Sequence, residues 1–475
     1  MPPQLTPLHS LHNIRLPSSS TSPSSTWDIT FKPNGRIKSL IPTTHTTPTT
    51  NDTNPSQAQE PPLVLPALTH PHIHLDKAFI HNDPKYAHLA PTTGTFPEAL
   101  ASTTTAKQSF EASDLLKRGS WLLAESLANG VTALRAFVEV DATVQHTCLD
   151  AALTLKAHWA EACKMQVVCF AQDPVFSGAH GAENRKLIES ALLRDGVDVL
   201  GSTPYVESDP KAAKRNIEWA VRTALAHDLH LDFHLDYTLD PGREPLVWTV
   251  LDELRRCGWT GGRTRKRVML GHCTRLTLFG KDEWARLAKE IAEDELPVSF
   301  VGLPTSDLYM AAPPAGGGEE GAMATPRGTL QVPRLVREYG LDAVVGVNNV
   351  GNAFTPWGAA DPLGLACLGV GVYQAGTRAD AELLYECVST RARAAIGMDE
   401  GGGGGGVTVD VGCCADLLLV YARDDTGCDV VARPRNSVAE VVWDPPSRIN
   451  RDVICGGRLK LSPWVSKLDG IYRFV

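Results

Sequence analysis

The chain has 475 residues, of which 43% are hydrophobic and 21% are charged, and its formal net charge is -9. This length suits about two or three average domains, or one large barrel with a small additional domain. The acidic balance argues against a nucleic-acid-binding surface, and no apolar stretch approaches the roughly 20 residues of a membrane helix. The N-terminal segment lacks the pattern of a signal peptide. We therefore predict a cytoplasmic protein with a small-molecule substrate and no nucleic-acid or membrane partner, and homo-oligomer formation is left open.

The first predicted element is a β-hairpin between Trp27 and Pro42. Apolar and polar residues alternate on both sides of Pro33-Asn-Gly35, which is typical of a tight turn between two strands. A polar, proline-rich segment follows and is predicted to be a loop.

Short apolar runs alternate with stretches of helical period from Leu63 onward. This alternation predicts parallel strands joined by helices, such as those expected at Lys211 to His227, Pro245 to Cys257 and Lys281 to Asp294. The eight runs begin at residues 63, 131, 165, 197, 229, 267, 296 and 341. Eight such units predict a TIM-like (β/α)8 barrel. A doubly wound sheet is the alternative, but no glycine-rich phosphate turn follows the first run.

The two chain ends are predicted to form a second domain. Strand-like segments after residue 406 can pair with the N-terminal hairpin and give a small β-sandwich. The predicted division is therefore residues 1–62 for the first part of the sandwich and linker, 63–400 for the barrel, and 401–475 for the rest of the sandwich.

The stretch THPHIHLDKAF, from Thr69 to Phe79, places histidines at alternate positions at the end of the first run. In an extended strand, side chains two residues apart share a face, so His72 and His74 can approach one metal ion. The catalytic end of a barrel is formed by the carboxyl ends of its strands. The fifth run ends with His234 and the sixth with His272, so we predict that these histidines meet at that end.

These motifs identify the chain as similar to the amidohydrolase superfamily, and within it most similar to the cytosine deaminase group. PHIHLD resembles the first-strand motif, and His234 in DFHLD matches a third histidine ligand. The resemblance implies one divalent metal ion, zinc or iron, on His72, His74 and His234. It also implies that His272 contacts the reacting group and that Gln172, in VCFAQD, hydrogen-bonds the substrate.

The chain departs from this family pattern at three positions. Asn348, in GVNNVGN, replaces the eighth-strand aspartate that ligates the metal and accepts a proton from water. An amide oxygen can coordinate an ion but cannot accept that proton. Tyr237 replaces a glutamate that carries a proton to the substrate, and Phe137 replaces a histidine. Standard cytosine deamination is therefore not expected.

Other groups at the predicted catalytic end are candidates to replace the missing base. His272 is the best of them, because imidazole titrates near neutral pH. Lys77 follows the first strand, whereas the metal-bridging lysine of some superfamily members comes from the fourth, so we expect at most one ion. Each of seven carboxylates is interpreted as a structural hydrogen-bonding group or a solvated loop residue: Asp76, Glu139, Asp141, Asp173, Glu207, Asp236 and Asp307.

We therefore predict a metal-dependent hydrolase of a non-peptide C–N bond in a small cyclic amide, amidine or heterocycle. In this prediction His272 and Asn348 are catalytic, and Gln172, Tyr237 and Asn349 orient the substrate. Two alternatives remain open. One is a metal-assisted isomerase, cyclase or lyase, and the other is a non-catalytic barrel that binds a small molecule.

Overall fold

Two eight-stranded sheets organise the chain, one parallel and one antiparallel. The structure is a computed structural model that describes residues 3–17, 25–43, 60–312, 327–399, 406–460 and 471–474. In the parallel sheet, every strand pairs with the next strand in sequence. Its strands are β5 (Leu68–His74), β6 (Val131–Glu139), β7 (Lys164–Ala171), β8 (Val197–Ser202), β9 (His230–Leu235), β10 (Val268–His272), β11 (Val298–Gly302) and β12 (Ala343–Val345). Each of the eight predicted runs overlaps one of these strands, so the predicted TIM-like barrel is confirmed.

The barrel closes where its first and last strands meet. Ile73 and Asn348 form a parallel β-bridge. The His74 N–H donates to the Asn348 carbonyl oxygen at 2.8 Å, and the Asn348 N–H donates to the His72 carbonyl oxygen at 3.1 Å. The closing hydrogen bonds of the barrel therefore belong to three of the predicted site residues.

Helices connect the strands and cover the outside of the barrel. Their bounds are α1 (Phe96–Lys107), α2 (Ala112–Ala128), α3 (Thr147–Trp159), α4 (Gly181–Ala191), α5 (Pro210–Ala226), α6 (Val247–Cys257), α7 (Lys281–Glu293), α8 (Pro304–Met310), α9 (Val332–Tyr339), α10 (Pro362–Val372), α11 (Arg378–Glu386), α12 (Thr390–Ala395) and α13 (Val438–Trp443). The three helices predicted by range match α5, α6 and α7. Within the described ranges, no helix is both long enough and apolar enough to cross a membrane. The cytoplasmic location stays a prediction.

Local sequence signals set the ends of these helices. Asp209 accepts a hydrogen bond from the Ala212 N–H, and Pro210 occupies the first turn, as is common where a helix begins. Helix α6 ends at Gly258, whose φ of 65° lies in the left-handed region that glycine adopts readily. The crossover helices therefore begin and end close to the predicted residues.

The antiparallel sheet forms a half-barrel from both chain ends. Its strands are β1 (Leu5–Ile14), β2 (Trp27–Phe31), β3 (Ile37–Pro42), β4 (Leu63–Pro66), β13 (Leu417–Val420), β14 (Arg451–Cys455), β15 (Arg458–Lys460) and β16 (Tyr472–Phe474). β2 and β3 are the predicted hairpin. The first apolar run divides, because β4 pairs with β13 in this sheet while β5 enters the barrel. The predicted domain limits at residues 62 and 400 stay predictions.

His230, at the amino end of β9, gives the fold a dependence on pH. Its Nδ1 accepts a hydrogen bond from the Arg267 N–H at 2.9 Å, and burial, followed by nearby cations, lowers its pKa to about 3. The unfolded chain takes up this proton near pH 6.5, whereas the folded chain does not. The free energy of unfolding should therefore fall as the pH falls from about 6.5 toward 3, by at most about 1.4 kcal/mol per pH unit from this residue.

The prediction is tested with His230→Asn, because the asparagine Oδ1 can accept the same hydrogen bond without titrating. Between pH 6.5 and 5 this variant should lose about 1.6 kcal/mol less unfolding free energy than the wild type, measured by urea unfolding at each pH. His180→Gln, at an exposed position, is the control and should keep the wild-type slope. An unchanged slope in His230→Asn would contradict the assignment.

Candidate active site

The first strand supplies two inward-facing histidines because its register is interrupted. Strict alternation would place His70 on the same face as His72 and His74. In the structure, the pairing with β6 shifts between His70 and Ile73, so one extra residue lies in β5 around Pro71. His70 Nε2 instead lies 3.2 Å from Ser126 Oγ on helix α2. The shift therefore separates one buried structural histidine from the two that reach the catalytic end.

His72, His74 and His234 form one buried cluster at the carboxyl ends of β5 and β9. One potential ligand atom from each lies within 4.8 Å of the others. The two Nε2 atoms of His74 and His234 are 3.1 Å apart. The rings of Phe137 and Phe170 pack below them, with centroids 4.0 Å from His72 and 4.5 Å from His234 respectively. The predicted convergence of the three histidines is confirmed.

The chemistry of this cluster fits a divalent metal ion. Burial, followed by the neighbouring cations and imidazoles, holds the pKa of all three rings well below the usual value, so they are neutral at pH 7. A neutral imidazole has one nitrogen lone pair free for a ligand. Among the described atoms, both ring nitrogens of His72 and the Nδ1 atoms of His74 and His234 have no hydrogen-bond partner. Buried polar atoms without partners are costly, and a shared ion would bind one nitrogen of each ring.

Asn348 lies on the opposite side of the barrel seam with its amide orientation fixed. Its Nδ2 donates to Ser306 Oγ at 2.8 Å, and Ser306 Oγ also lies 2.6 Å from Thr355 Oγ1. The Asn348 Oδ1 is left without a hydrogen-bond partner in the part of the chain that the structure describes. This amide therefore offers an oxygen to the centre, but no group that can take a proton.

His272 stands beside the cluster and is held by Asp307. Its ring centroid is 5.1 Å from that of His234, and its Nδ1 is 2.7 Å from Asp307 Oδ1. An ionised carboxylate only accepts hydrogen bonds, so Nδ1 carries the proton and Nε2 is left available. The other Asp307 oxygen accepts hydrogen bonds from the Leu303 N–H and from Thr329 Oγ1, at 3.1 and 2.8 Å. The His272–Asp307 pair is therefore an oriented imidazole that can exchange a proton at Nε2.

Backbone strain marks the strand ends that carry these groups. Asp236, His272 and Asn348 have φ values of 51°, 64° and 67°. Non-glycine residues adopt the left-handed region at a cost of about 1–3 kcal/mol each, and such residues cluster at functional sites. Holding the ends of β9, β10 and β12 in this arrangement therefore lowers the folding stability of the chain.

A cavity of about 290 Å³ opens beside the histidines, which is the size of a small ring compound. The predicted substrate-binding residues Gln172, Tyr237 and Asn349 all line it. Its apolar wall is formed by Phe96, Leu100, Val206, Met310 and Phe354. A second cavity of similar volume lies near the amino ends of the strands, away from the histidines.

Tyr237 stays protonated at ordinary pH. Burial and the nearby carboxylate of Asp307 raise its pKa well above the usual value, and its ring lies 4.4 Å from that of His272. The hydroxyl can therefore donate a hydrogen bond to a ligand in the cavity. It is a poor substitute for a titrating glutamate at neutral pH.

Four of the seven carboxylates belong to a charged cluster around Lys107, behind the cavity. Lys107 Nζ lies 2.5 Å from Glu139, 2.5 Å from Asp141 and 3.2 Å from Asp173. Asp76 accepts a hydrogen bond from the Glu139 N–H at 2.8 Å. The interpretation of these four groups as structural agrees with these contacts.

Two further carboxylates hold loops at the same end of the barrel. Glu207 accepts hydrogen bonds from two consecutive backbone N–H groups after β7. Asp236 accepts hydrogen bonds from the N–H groups of Leu246 and Val247 at the start of α6, and burial raises its pKa to about 7. The seventh, Asp307, differs because its partner is a site histidine.

Sequence reasoning considered Asp307 and Lys77 but gave neither of them a role in the site. Asp307 lies just after the seventh strand, in the first turn of α8, and was one of seven equivalent candidates. Lys77 lies three residues after His74, and its side chain lines the cavity. Their positions just after strand ends were a usable signal, but only the structure shows that their side chains turn toward the site.

The fold and the site together define a (β/α)8 barrel with a buried three-histidine cluster at the carboxyl ends of its strands. No protein-family model and no curated protein matches this chain. Solved structures do match along nearly its whole length. One is 5-methylcytosine deaminase from Klebsiella pneumoniae, with 18% identity, a TM-score of 0.74, and coverage of 95% of this chain and 97% of that chain.

Two other solved structures are also similar to this chain. N-isopropylammelide isopropylaminohydrolase from Burkholderia multivorans has 23% identity and a TM-score of 0.68, covering 95% of this chain and 97% of that one. An adenosine deaminase from Xanthomonas campestris, solved with bound zinc, has 16% identity and a TM-score of 0.59, covering 92% and 88%. The chain therefore has the fold of these deaminases and aminohydrolases, as the family resemblance predicted.

Proposed function

We propose that this chain is a metal-dependent enzyme of the amidohydrolase superfamily. It would hydrolyse a non-peptide C–N bond in a small cyclic amide, amidine or heterocycle. The observation that carries the proposal is the cluster of His72, His74 and His234, neutral and with unpartnered nitrogens, beside a cavity of small-molecule size. The three structural neighbours described above are named as deaminases or an aminohydrolase, which supports the same reaction class.

The proposed division of labour follows from the contacts. His72, His74 and His234 would hold one divalent ion, zinc or iron, which when bound supplies Lewis-acid activation of water and substrate. His272, fixed by Asp307, would accept and return protons at Nε2. Gln172, Tyr237 and Asn349 would orient the substrate from the cavity wall, and Asn348 would present its Oδ1 to the centre.

The proposal is tested with protein loaded with zinc or iron and a panel of lactams, cyclic imides, amidines and amino-heterocycles. Release of ammonia or amine, or ring opening, is the expected result. In ¹⁸O-labelled water the product should gain the label, which separates hydrolysis from isomerisation, cyclisation or elimination. Absence of any such product across the panel, or product without the label, would remove hydrolysis as the function.

Asn348→Asp tests whether residue 348 faces the ion. A carboxylate attracts a divalent cation more strongly than a neutral amide does. The variant should therefore need a chelator concentration about tenfold higher, or more, before it loses its metal. Metal content after dialysis against graded chelator concentrations is the measurement. Asn349→Asp is the matched control, because the Asn349 Oδ1 already accepts a hydrogen bond from Asn352. Equal retention by the two variants would place residue 348 outside the centre.

A further inference from the structure

Lys77 brings a buried positive charge to the cavity. Its side chain is only 3% exposed, and Nζ lies 2.6 Å from Glu139 Oε1, which stands behind the cavity wall. Nζ also donates to Gln172 Oε1 at 3.2 Å, and it lies 5.8 and 5.6 Å from the ring centroids of Phe170 and Phe354. An ammonium group has three donors and no acceptor. The two contacts use two of these donors and leave the third for a ligand.

The Lys77 contact determines which face Gln172 shows to a ligand. Because an ammonium cannot accept a hydrogen bond, the Gln172 oxygen must face Lys77, and its amide nitrogen is left for other partners. The Gln172 amide also donates a hydrogen bond to the Tyr205 oxygen, which uses one of its two N–H groups and leaves the other. Gln172 therefore offers an N–H donor rather than an oxygen acceptor.

The orientation of the Asn349 side-chain amide is fixed in the same way, by a hydrogen bond from the Asn352 amide. Asn352 Oδ1 accepts hydrogen bonds from the Phe354 and Thr355 N–H groups at 3.0 and 3.2 Å, so its Nδ2 must point the other way. That Nδ2 donates to Asn349 Oδ1 at 2.8 Å. The Asn349 oxygen is therefore occupied, and its Nδ2 is the group left for the cavity.

The charge of the lining agrees with these orientations. Among the described residues, the cavity lining contains one lysine and no aspartate or glutamate. The hydroxyls of Tyr205 and Tyr237 can donate or accept, so they suit either kind of ligand. A ring whose facing edge carries only N–H groups would leave the buried donors of Lys77, Gln172 and Asn349 without acceptors, which is costly.

We propose that Lys77, through its own donor and through Gln172, makes this cavity specific for ligands that present oxygen acceptors. The ligand would be a cyclic amide or imide with a ring carbonyl, or a ring with a carboxylate, rather than a ring whose facing edge carries only amino groups. This inference rests on the proposed function only in taking the cavity to be the substrate site, and it narrows the substrate class to oxygen-bearing rings.

Two six-membered probes with opposite hydrogen-bonding edges test the inference. Glutarimide presents acceptor, donor, acceptor, whereas 2,6-diaminopyridine presents donor, acceptor, donor. Ligand-detected NMR titration of the purified protein reports binding and any ring opening separately. We expect glutarimide to bind about tenfold more tightly or better, because hydrogen bonds to charged or buried groups are involved.

Two variants connect the preference to the named residues. Lys77→Met should remove most of the preference. Gln172→Glu replaces the amide N–H donor with a carboxylate oxygen that can only accept, so it should reverse the preference toward 2,6-diaminopyridine. Lys117→Met is the control, because Lys117 lies on the outer side of α2 with a half-exposed side chain paired with Asp83. It should keep the wild-type preference.

The outcomes separate this inference from the proposed hydrolysis. Preference for glutarimide without turnover would support the acceptor-specific cavity and weigh only against hydrolysis of that ring. Equal or tighter binding of 2,6-diaminopyridine by the wild type would overturn the inference even if hydrolysis of another compound is observed. Failure of both probes to bind, or a preference unchanged in both cavity variants, would overturn it as well.

Discussion

Replacing His234 with alanine is expected to remove the bound metal and to lower kcat by about 10³-fold or more. The variant leaves only His72 and His74, which come from one strand, so two of the three imidazoles remain and the opposite side of the centre is lost. A Lewis acid contributes several kcal/mol to the transition state, and each 1.36 kcal/mol corresponds to about tenfold in rate. Metal per chain after dialysis is the primary measurement, and kcat is the second.

His70→Ala is the matched control for this experiment. His70 is a buried histidine on the strand that carries His72 and His74, but it contacts Ser126 outside the barrel. The His70→Ala variant should keep one metal ion per chain. Like His234→Ala, it should lose some stability, because the smaller side chain leaves a cavity in the same region. If His234→Ala retains as much metal as His70→Ala, the three-histidine centre is wrong.

Replacing His272 with alanine is expected to lower kcat by about 10²- to 10⁴-fold while the metal is retained. This range is typical of losing a general acid–base group. Because Asp307 holds His272 with Nε2 available for proton transfer, the loss should lower kcat more than it raises KM. Steady-state kinetics together with metal analysis test this, and a variant with unchanged kcat would remove His272 from the chemistry.

Asp307→Asn tests the positioning role of the carboxylate. The Leu303 N–H and Thr329 hydroxyl donors would select the asparagine oxygen, so its NH₂ group would face His272 Nδ1. The neutral imidazole would then carry its proton on Nε2, the wrong tautomer for accepting a proton. We expect a loss in kcat of about 10²-fold or more and an altered pH–rate profile.

Glu207→Gln is the control for Asp307→Asn. Glu207 is also a carboxylate at this end of the barrel, but its oxygens accept hydrogen bonds from the loop after β7 and from the Asn216 side chain on α5. A glutamine can keep most of these contacts, so kcat and its pH profile should stay near the wild-type values. Equal kinetic effects in both variants would indicate a structural role for Asp307.

The barrel and its catalytic end were predictable because they depend on repeated, local patterns. Each apolar run is short, bounded by polar residues and followed by helical periodicity, so eight units can be counted without any contact information. The fixed geometry of a parallel barrel then brings the ends of β5 and β9 together. His72, His74 and His234 could be placed in one cluster on that basis alone.

The remaining features depend on contacts that the sequence pattern does not encode. Strict alternation assigns His70 to the same face as His72, and only the irregular pairing around Pro71 separates them. Asp307 and Lys77 follow strands at ordinary loop positions, where side-chain direction depends on backbone conformation rather than on periodicity. For the same reason, neither the orientation of Gln172 nor that of Asn349 could be predicted from the sequence.

The seam between β5 and β12 has a consequence for the order in which the protein matures. His72 and His74 are synthesised early, but their backbone partner at Asn348 leaves the ribosome much later. The ligand strand therefore stays without one of its neighbours until the last barrel strand docks. Ion uptake should consequently be a late step that follows closure, and a nascent chain arrested before β12 should contain all three histidines and yet fail to sequester zinc or iron.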